Sequence, residues 1–391
     1  PMRPGDDVLV TEYNRRRKIL KEVCTAWGAY ITKAKFMKKG HAKILNPTKH
    51  DITADRQELS QTQLERIWQL NKRSSYHQMF VDRKHSLTWC KVPKAASTSW
   101  LHAFLELAGV RDVENQDMAG KHALLREKYP LLATAFLRKV LPTTMRFMVA
   151  RHPFERVLSA YRDKLEDYQR DLKDRGGYYY AIYGKNIVKT YRKTAVGEKA
   201  KADNSGERKE PTFREFIQYL LDTDVEIYDE HWRPMNLLCT PCHAKFDIIA
   251  KMETLPIDAD FVLYHRGIGD KVNIKWSHKT DSKMTSDVAV EYFSQLTQSE
   301  VKQLYYKYLV DFLMFEYDFE PYIKLAAPPV GNSTISEDDY EYEEGEEDED
   351  DENYEDDDDE AEDEYEYDED ADNTATGNEN HEENGDTIVE E

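Results

Sequence analysis

Cysteine is scarce in this sequence: Cys24, Cys90, Cys239 and Cys242 are the only four among 391 residues. Four are too few for a disulfide scaffold, and they leave the redox compartment open. No run of 18 apolar residues occurs, which excludes a membrane-spanning helix within this sequence. The glycine-rich pattern G-x-x-x-x-G-K-[ST] is absent, so Mg²⁺-dependent nucleoside triphosphate chemistry is the weaker reading. Lys and Arg are missing altogether from residues 337–391, where 33 of the positions are Asp or Glu. A stretch of that composition cannot bury a core, and residues 327–391 are expected to form a disordered acidic tail.

The rest of the chain has what the tail lacks. Hydrophobic residues make up 40% of the whole and aromatics 12%, enough for a core in one large α/β domain. Set apart from the tail, the remaining 43 acidic residues face all 54 Lys and Arg. The formal charge of −22 therefore divides into +11 for the body and −33 for the tail. A basic body implies an anionic partner: nucleic acid, an anionic membrane, a nucleotide or an acidic polysaccharide. Charge alone does not choose among them, and a merely solvated basic surface is the plain alternative.

Residues 1–80 read as a basic helical arm. Residues 11–30 have a weak apolar period, and residues 55–73 a clearer helical one in Leu59, Ile67 and Leu70. The core is expected to begin near Ser86, within a domain spanning 81–326. Residues 86–92 (SLTWCKV) and 145–150 (MRFMVA) read as buried strands. Each leads through a loop into a helix, over 98–108 and from Pro153 onward, an order that favours a parallel sheet. Residues 196–211 read as a surface loop, 213–221 as a helix, 246–250 and 261–264 as short strands, and 286–296 and 298–315 as closing helices.

Two segments carry the chemistry. In KVPKAASTSW (91–100) a strand meets a helix start, where unpaired backbone N–H groups point outward and bind phosphate oxygens. Ala95 and Ala96 let the backbone approach a ligand closely. Lys94 brings a point charge, and Ser97, Thr98 and Ser99 bring hydroxyls. An ordinary strand–helix turn with a Ser cap is the simpler reading of the same letters. In RHPFERVLSAYRDK (151–164), Arg151 ends the second strand and Ser159 follows two helical turns later, a pair suited to clamping a phosphate monoester. Helix solvation by Arg151, Arg156 and Arg162 is the simpler alternative here.

Together, in this order, KVPKAASTSW and RHPFERVLSAYRDKL resemble the 5′-phosphosulfate and 3′-phosphate loops of Golgi carbohydrate sulfotransferases. The run EHWRPMNLLCTPCHAKFDIIAKMETL (230–255) and the closing DFLMFEYDF (311–319) are similar to the chondroitin 4-O-sulfotransferase and HNK-1 sulfotransferase branch. Ser97-Thr98-Ser99 stands where that branch usually has Cys-Thr-Asn, and there the loop is closer to heparan and uronyl 2-O-sulfotransferases. The resemblance implies an α/β fold with a P-loop-NTPase-like parallel sheet flanked by helices. It implies 3′-phosphoadenosine 5′-phosphosulfate (PAPS) as donor, no metal, and an acidic glycosaminoglycan or glycoprotein glycan as acceptor, with no nucleic-acid partner. The 4-hydroxyl of N-acetylgalactosamine in chondroitin or dermatan is the first expectation.

On that resemblance Lys94 stabilises the leaving oxygen and His122 serves as the base. The donor-binding set is Pro93, Lys94, Ala95, Ala96, Ser97, Thr98, Ser99, Arg151, His152, Pro153, Phe154, Glu155, Arg156 and Ser159. Glu230, His231 and Arg233 are assigned to the acceptor, with Glu230 and His231 as reserve bases. The implied location is the Golgi lumen, as a type II membrane protein. The chain begins with Pro1 rather than Met, and the expectation is that an anchor precedes it.

The remaining motifs stay open. Cys239-Thr-Pro-Cys242 lacks the second pair a zinc site needs and reads as a local disulfide in an oxidising lumen, with Cys90 a buried thiol. Asn332-Ser333-Thr334 is the one glycosylation sequon. A P-loop kinase and a basic nucleic-acid-binding protein are the rival functions. Neither accounts for the two loops.

Overall fold

The computed structural model describes residues 2–34, 76–195, 208–272, 274 and 285–327. Four strands, β1 (Met79–Asp82), β2 (Leu87–Cys90), β3 (Met145–Ala150) and β4 (Ile248–Lys251), pair side by side in that order. β2, β3 and β4 are parallel, in a register that sets Trp89 beside Phe147 and Phe147 beside Ile248. They are buried nearly throughout, which explains why they read as continuous apolar runs rather than alternating ones.

β1 is antiparallel to β2, so the sheet is mixed and begins at Met79 rather than near Ser86, while buried Tyr13 and Leu20 carry the core further back still. Only four residues, MFVD, carry this edge strand, too few to stand out between polar neighbours. The turn that follows places Ser86 at φ 51°.

Helices cover the sheet. α1 (Asp6–Ala34) precedes it, and α2 (Ser97–Leu107), α3 (Met118–Lys128) and α4 (Thr134–Val140) join β2 to β3. Between β3 and β4 come α5 (Pro153–Lys164), α6 (Tyr168–Arg175), a π-helical turn Tyr180–Gly184, α7 (Lys185–Ala195), α8 (Phe213–Asp222), α9 (Met235–Cys239) and α10 (Pro241–Ala244). α11 (Leu255–His265), α12 (Thr285–Phe293), α13 (Gln298–Lys307), α14 (Leu309–Phe315) and α15 (Glu320–Leu325) follow β4. Long connections between parallel strands need such crossovers. Local signals set many of their ends: Thr212 and Glu215 form a capping box on α8, and Thr297 and Glu300 one on α13.

Two expectations in this region are corrected. Residues 261–264 are not a strand but the end of α11. The β-prone letters FVLY yield to a helix that opens with Pro256 in its first turn and buries Leu255, Ala259, Phe261 and Val262. Residues 298–315 form two helices rather than one, because the chain breaks at Tyr308, whose hydroxyl donates to the Trp232 carbonyl.

The cysteines pair differently from the expected local bridge. Cys24 bonds to Cys242, and Cys90 to Cys239, so Cys90 is not a free thiol. Thr240, at φ 39°, separates α9 from α10 and turns the two neighbouring cysteines toward different partners. One bridge ties α9 to the end of β2. The other ties α10 to α1. That helix docks through a stripe of mixed character: Tyr13 and Leu20 are buried, Arg16 donates to the Ile249 carbonyl (2.7 Å), and the Tyr13 hydroxyl donates to Asp258 (2.8 Å).

Two apolar clusters result. One surrounds the sheet and includes Trp89, Ala95, Phe104 and Phe147. The other joins α5, α8 and α12–α15 through Phe154, Phe216, Phe293 and Phe312. Among the described residues no helix is long and apolar enough to cross a membrane. The helix expected at 55–73, loop residues 196–207, the Asn332 sequon and the acidic tail lie outside the described residues.

Candidate active site

The carboxyl ends of β2 and β3 lie side by side, the edge of a parallel sheet where ligands bind in open α/β folds. From β2 the chain enters a loop in which Lys94 (φ 69°) and Ala96 (φ 55°) both take the left-handed conformation. A side chain at such a φ costs roughly 1–2 kcal/mol. Alternation about Ala95 is the pattern that turns successive N–H groups to one side and forms an anion-binding concavity. α2 then begins at Ser97 with no side-chain cap, so its first amides remain available to a ligand. Ser97 and Thr98 are half-buried at this end, and Ser99 is buried.

The loop is held from behind by arginines. Arg156, wholly buried, donates from Nε to the Pro93 carbonyl (2.9 Å), from Nη1 to the Arg233 carbonyl (2.7 Å) and from Nη2 to the Glu230 carbonyl (2.9 Å). Arg151 donates from Nη1 to the Lys94 carbonyl (2.9 Å) and has Glu155 within 3.5 Å of Nη2. The carbonyls of 93 and 94 are drawn to the guanidinium side, and the Ala95 N–H closes the turn onto the Val92 carbonyl (3.2 Å), which leaves the amides from Ala96 onward to the other side.

α5 carries the rest of the second segment. His152 caps it: Nδ1 accepts the Phe154 N–H (3.2 Å), which leaves Nε2–H to donate to the Asp318 carbonyl (2.8 Å). Burial pushes His152 down to about 4, so it stays neutral and the cap holds. Pro153 and Phe154 are buried in the fold, Phe154 against Phe293 and Phe312. Glu155, Ser159 and Asp163 follow at helical spacing along one ridge, so half-buried Ser159 lies between the carboxylate beside Arg151 and the carboxylate beside Lys94.

Asp163 is a residue that sequence reasoning passed over. It pairs with Lys94 (3.0 Å), Lys164 (3.3 Å) and Arg175 (2.7 Å). Burial alone would push its carboxyl up, but these cations outweigh burial and hold it below the usual carboxylate range. Burial pushes Lys94 down, against the pull of Asp163. A lysine so placed gives up its proton more readily than one in water.

The acceptor candidates gather beside this network. Glu230 accepts from Lys91 (3.2 Å) and from Gln78 (2.6 Å). His231 Nδ1 lies 2.6 Å from Asp229. Arg233 donates to the Glu226 carbonyl (2.7 Å) and closes its own turn. His122, on α3, feels the charges of Lys91, Glu230 and His231, so it faces the same cluster. Burial of part of its ring and then Lys91 push it down to about 4, while the residue keeps an exposed side. Arg151 and Arg156 thus tie the Pro93–Lys94 turn, the end of β3 and the Glu230–Arg233 segment to one another. Phe154 and Arg156 come inside the fold, where they support the loops. Lys91 and Asp163 stood within the two quoted segments; Asp229 had no sequence signal beyond nearness to a histidine.

The sulfotransferase family profile matches residues 77–318, more than half of the chain and all of the elements just described. Human carbohydrate sulfotransferase 9 is 33% identical over 248 residues, covering 61% of this chain and 53% of its own length. Mouse carbohydrate sulfotransferase 11 is 30% identical over 255 residues, 63% and 69% of the respective chains. Mouse carbohydrate sulfotransferase 8 is 32% identical over 250 residues, 61% and 56%. The chain therefore spans between half and about two thirds of these relatives. No solved structure gives a significant match. The matched span begins just before β1 and closes after α14, enclosing both phosphate-type loops and the acidic–histidine cluster, and on this ground the chain belongs to the sulfotransferase family.

Proposed function

We propose that this protein is a carbohydrate sulfotransferase that moves the sulfuryl group of PAPS to a sugar hydroxyl. The observation that carries the reading is the 2.9 Å hydrogen bond from Arg151 to the Lys94 carbonyl. It draws the backbone of the Lys94 loop against the guanidinium at the end of β3, and this nearness supports a reading in which the two segments grip one doubly phosphorylated adenosine. The amides of Ala96–Thr98 and the hydroxyls of Ser97 and Thr98 hold the 5′-phosphosulfate, and Arg151 with Ser159 holds the 3′-phosphate.

The chemistry asks for position and charge. The acceptor oxygen attacks sulfur in line, the bond from sulfur to the bridging phosphate oxygen breaks, and charge grows on that oxygen. Lys94 meets this charge, and its lowered proton affinity suits it to pass on a proton. On substrate entry Lys94 leaves Asp163 for the donor. The acceptor's proton goes to a histidine of the cluster, from the pair His122 and His231; burial lowers the proton affinity of His231, and partial burial with Lys91 nearby lowers that of His122.

The acceptor is proposed as the 4-hydroxyl of N-acetylgalactosamine in chondroitin or dermatan. Support comes from the likeness of residues 230–255 to that branch. Two disulfides linking distant parts of the chain suit the oxidising Golgi lumen. Incubation with labelled PAPS and desulfated chondroitin, dermatan and heparan, followed by disaccharide analysis, is expected to yield 4-sulfated N-acetylgalactosamine units. Label confined to uronic acid would overturn the acceptor assignment, and no transfer to any glycan would overturn the activity.

A further inference from the structure

Of the two histidines in the cluster, only one has its ring orientation built in. His231 Nδ1 lies 2.6 Å from Asp229 Oδ1, and the same oxygen accepts the His231 backbone N–H at 2.9 Å. Burial pushes the Asp229 carboxyl up, but its bonds with His231 prevail and keep it ionised. An ionised carboxylate only accepts, so Nδ1 bears the proton and Nε2 keeps its lone pair. Tyr179 sets its ring edge-on to the imidazole at 5.7 Å, with its hydroxyl 3.3 Å from Nδ1. No hydrogen bond among the described residues uses Nε2 of His231, and none fixes the ring of His122.

The position of His231 follows from Arg156. One planar guanidinium holds the Pro93 and Glu230 carbonyls, each at 2.9 Å. Lys94 is the next residue after the first, and His231 the next after the second. The leaving-group lysine and the oriented imidazole therefore sit on two segments clasped by a single side chain. Lys164 of α5, which pairs with Asp163 beside Lys94, also faces Asp229 and His231.

We propose that His231 is the base that takes the acceptor's proton, with Asp229 as its positioning residue. The assignment rests on the sulfotransferase reading above. The acceptor O–H bond breaks and its proton passes to Nε2. The freed oxygen forms the new bond to sulfur, and the electron pair of the broken bond to sulfur departs on adenosine 3′,5′-bisphosphate beside Lys94. His122 then lines the acceptor site without carrying the proton. The charged and titratable groups facing His231 are Lys164, Asp229, Glu230, His122 and Tyr179.

The test uses the full chain with PAPS and desulfated chondroitin, dermatan and heparan, and thermal protection by adenosine 3′,5′-bisphosphate as the check on folding and donor binding. His231→Ala and His231→Gln are expected to lose on the order of 100-fold or more in kcat with protection intact. His122→Ala is expected to keep kcat within about tenfold, with a raised acceptor KM. Asp229→Asn removes a carboxylate that raises the imidazole's proton affinity, so the acid limb of kcat/KM moves to lower pH as kcat falls. Both His231 variants within tenfold of the wild type, or an unmoved acid limb in Asp229→Asn, would overturn the assignment. A wild-type protein that gains no protection and sulfates none of the three glycans would instead remove the sulfotransferase reading, and this inference with it.

Discussion

Arg151 and Arg156 are close neighbours in sequence, one just before α5 and one in its first turn, and have separate tasks. Arg151 keeps contact with the Lys94 carbonyl and Glu155 at the open end of the strands. Its replacement by Ala is expected to weaken adenosine 3′,5′-bisphosphate binding by about 2 kcal/mol, roughly 30-fold, read by calorimetry. Arg156 has no exposed surface and three carbonyls to satisfy. Lysine cannot reproduce a planar fork with five donors, so Arg156→Lys is expected to leave buried carbonyls unpaired and to lower stability by about 1–3 kcal/mol in denaturant unfolding. An Arg156→Lys protein of wild-type stability would deny it the clasping role. The two arginines look alike in the sequence. Only the fold separates the one at the open strand ends from the one enclosed beneath the loop, because that depends on the carbonyls of residues 93, 230 and 233 arriving beside Arg156 and that of residue 94 beside Arg151.

At the scale of elements, the start of α5 depends on a neutral imidazole. His152 accepts the Phe154 N–H through Nδ1, a bond that protonation abolishes. Its pKa falls from 6.5 to about 4 on burial, so below 6.5 the unfolded chain binds the extra proton and the folded one does not. Stability is therefore full above pH 6.5 and is lost as pH falls toward 4, by about 3 kcal/mol from this group. His152→Asn is expected to flatten that part of the stability–pH curve in chemical unfolding, at some loss of stability at pH 7. An unchanged slope would contradict the role.

The same helix shows what was legible beforehand. Pro153 marked its start and the strand MRFMVA before it was plain, because both signals are local. α1 was nearly hidden, because its buried face includes Asp6 and Arg16, whose partners Arg3, His265, Asp258 and the Ile249 carbonyl are mostly far away in sequence. A periodicity count sees charge there and loses the stripe. The residues of the two loops were readable as a set, whereas Asp163 and Asp229 were not, since their value lies in which cations and imidazole they meet.

Across the whole molecule the two disulfides have distinct consequences. Cys24–Cys242 closes a span of 218 residues and fastens α1 to α10, whereas Cys90–Cys239 joins the strand that leads into the Lys94 loop to the helix after Arg233. Cys24→Ser with Cys242→Ser is expected to lower stability by about 2–5 kcal/mol, seen as a lower Tm, while donor protection persists. Cys90→Ser with Cys239→Ser is expected to lower Tm and weaken donor binding together. Equal effects of the two pairs on donor binding would contradict the division.

Arg151 and Lys94 meet across the ends of β3 and β2, and the functional account stands on that meeting. The most direct measurement is thermal unfolding of the full chain with adenosine 3′,5′-bisphosphate or with ATP, for the wild type and Arg151→Ala. At 100 times Kd the bisphosphate is expected to stabilise the wild type by about 2.7 kcal/mol, with a matching rise in Tm. The same concentration should protect Arg151→Ala far less, and ATP should protect neither. Protection of both proteins to the same degree, or protection by ATP alone, would contradict the account.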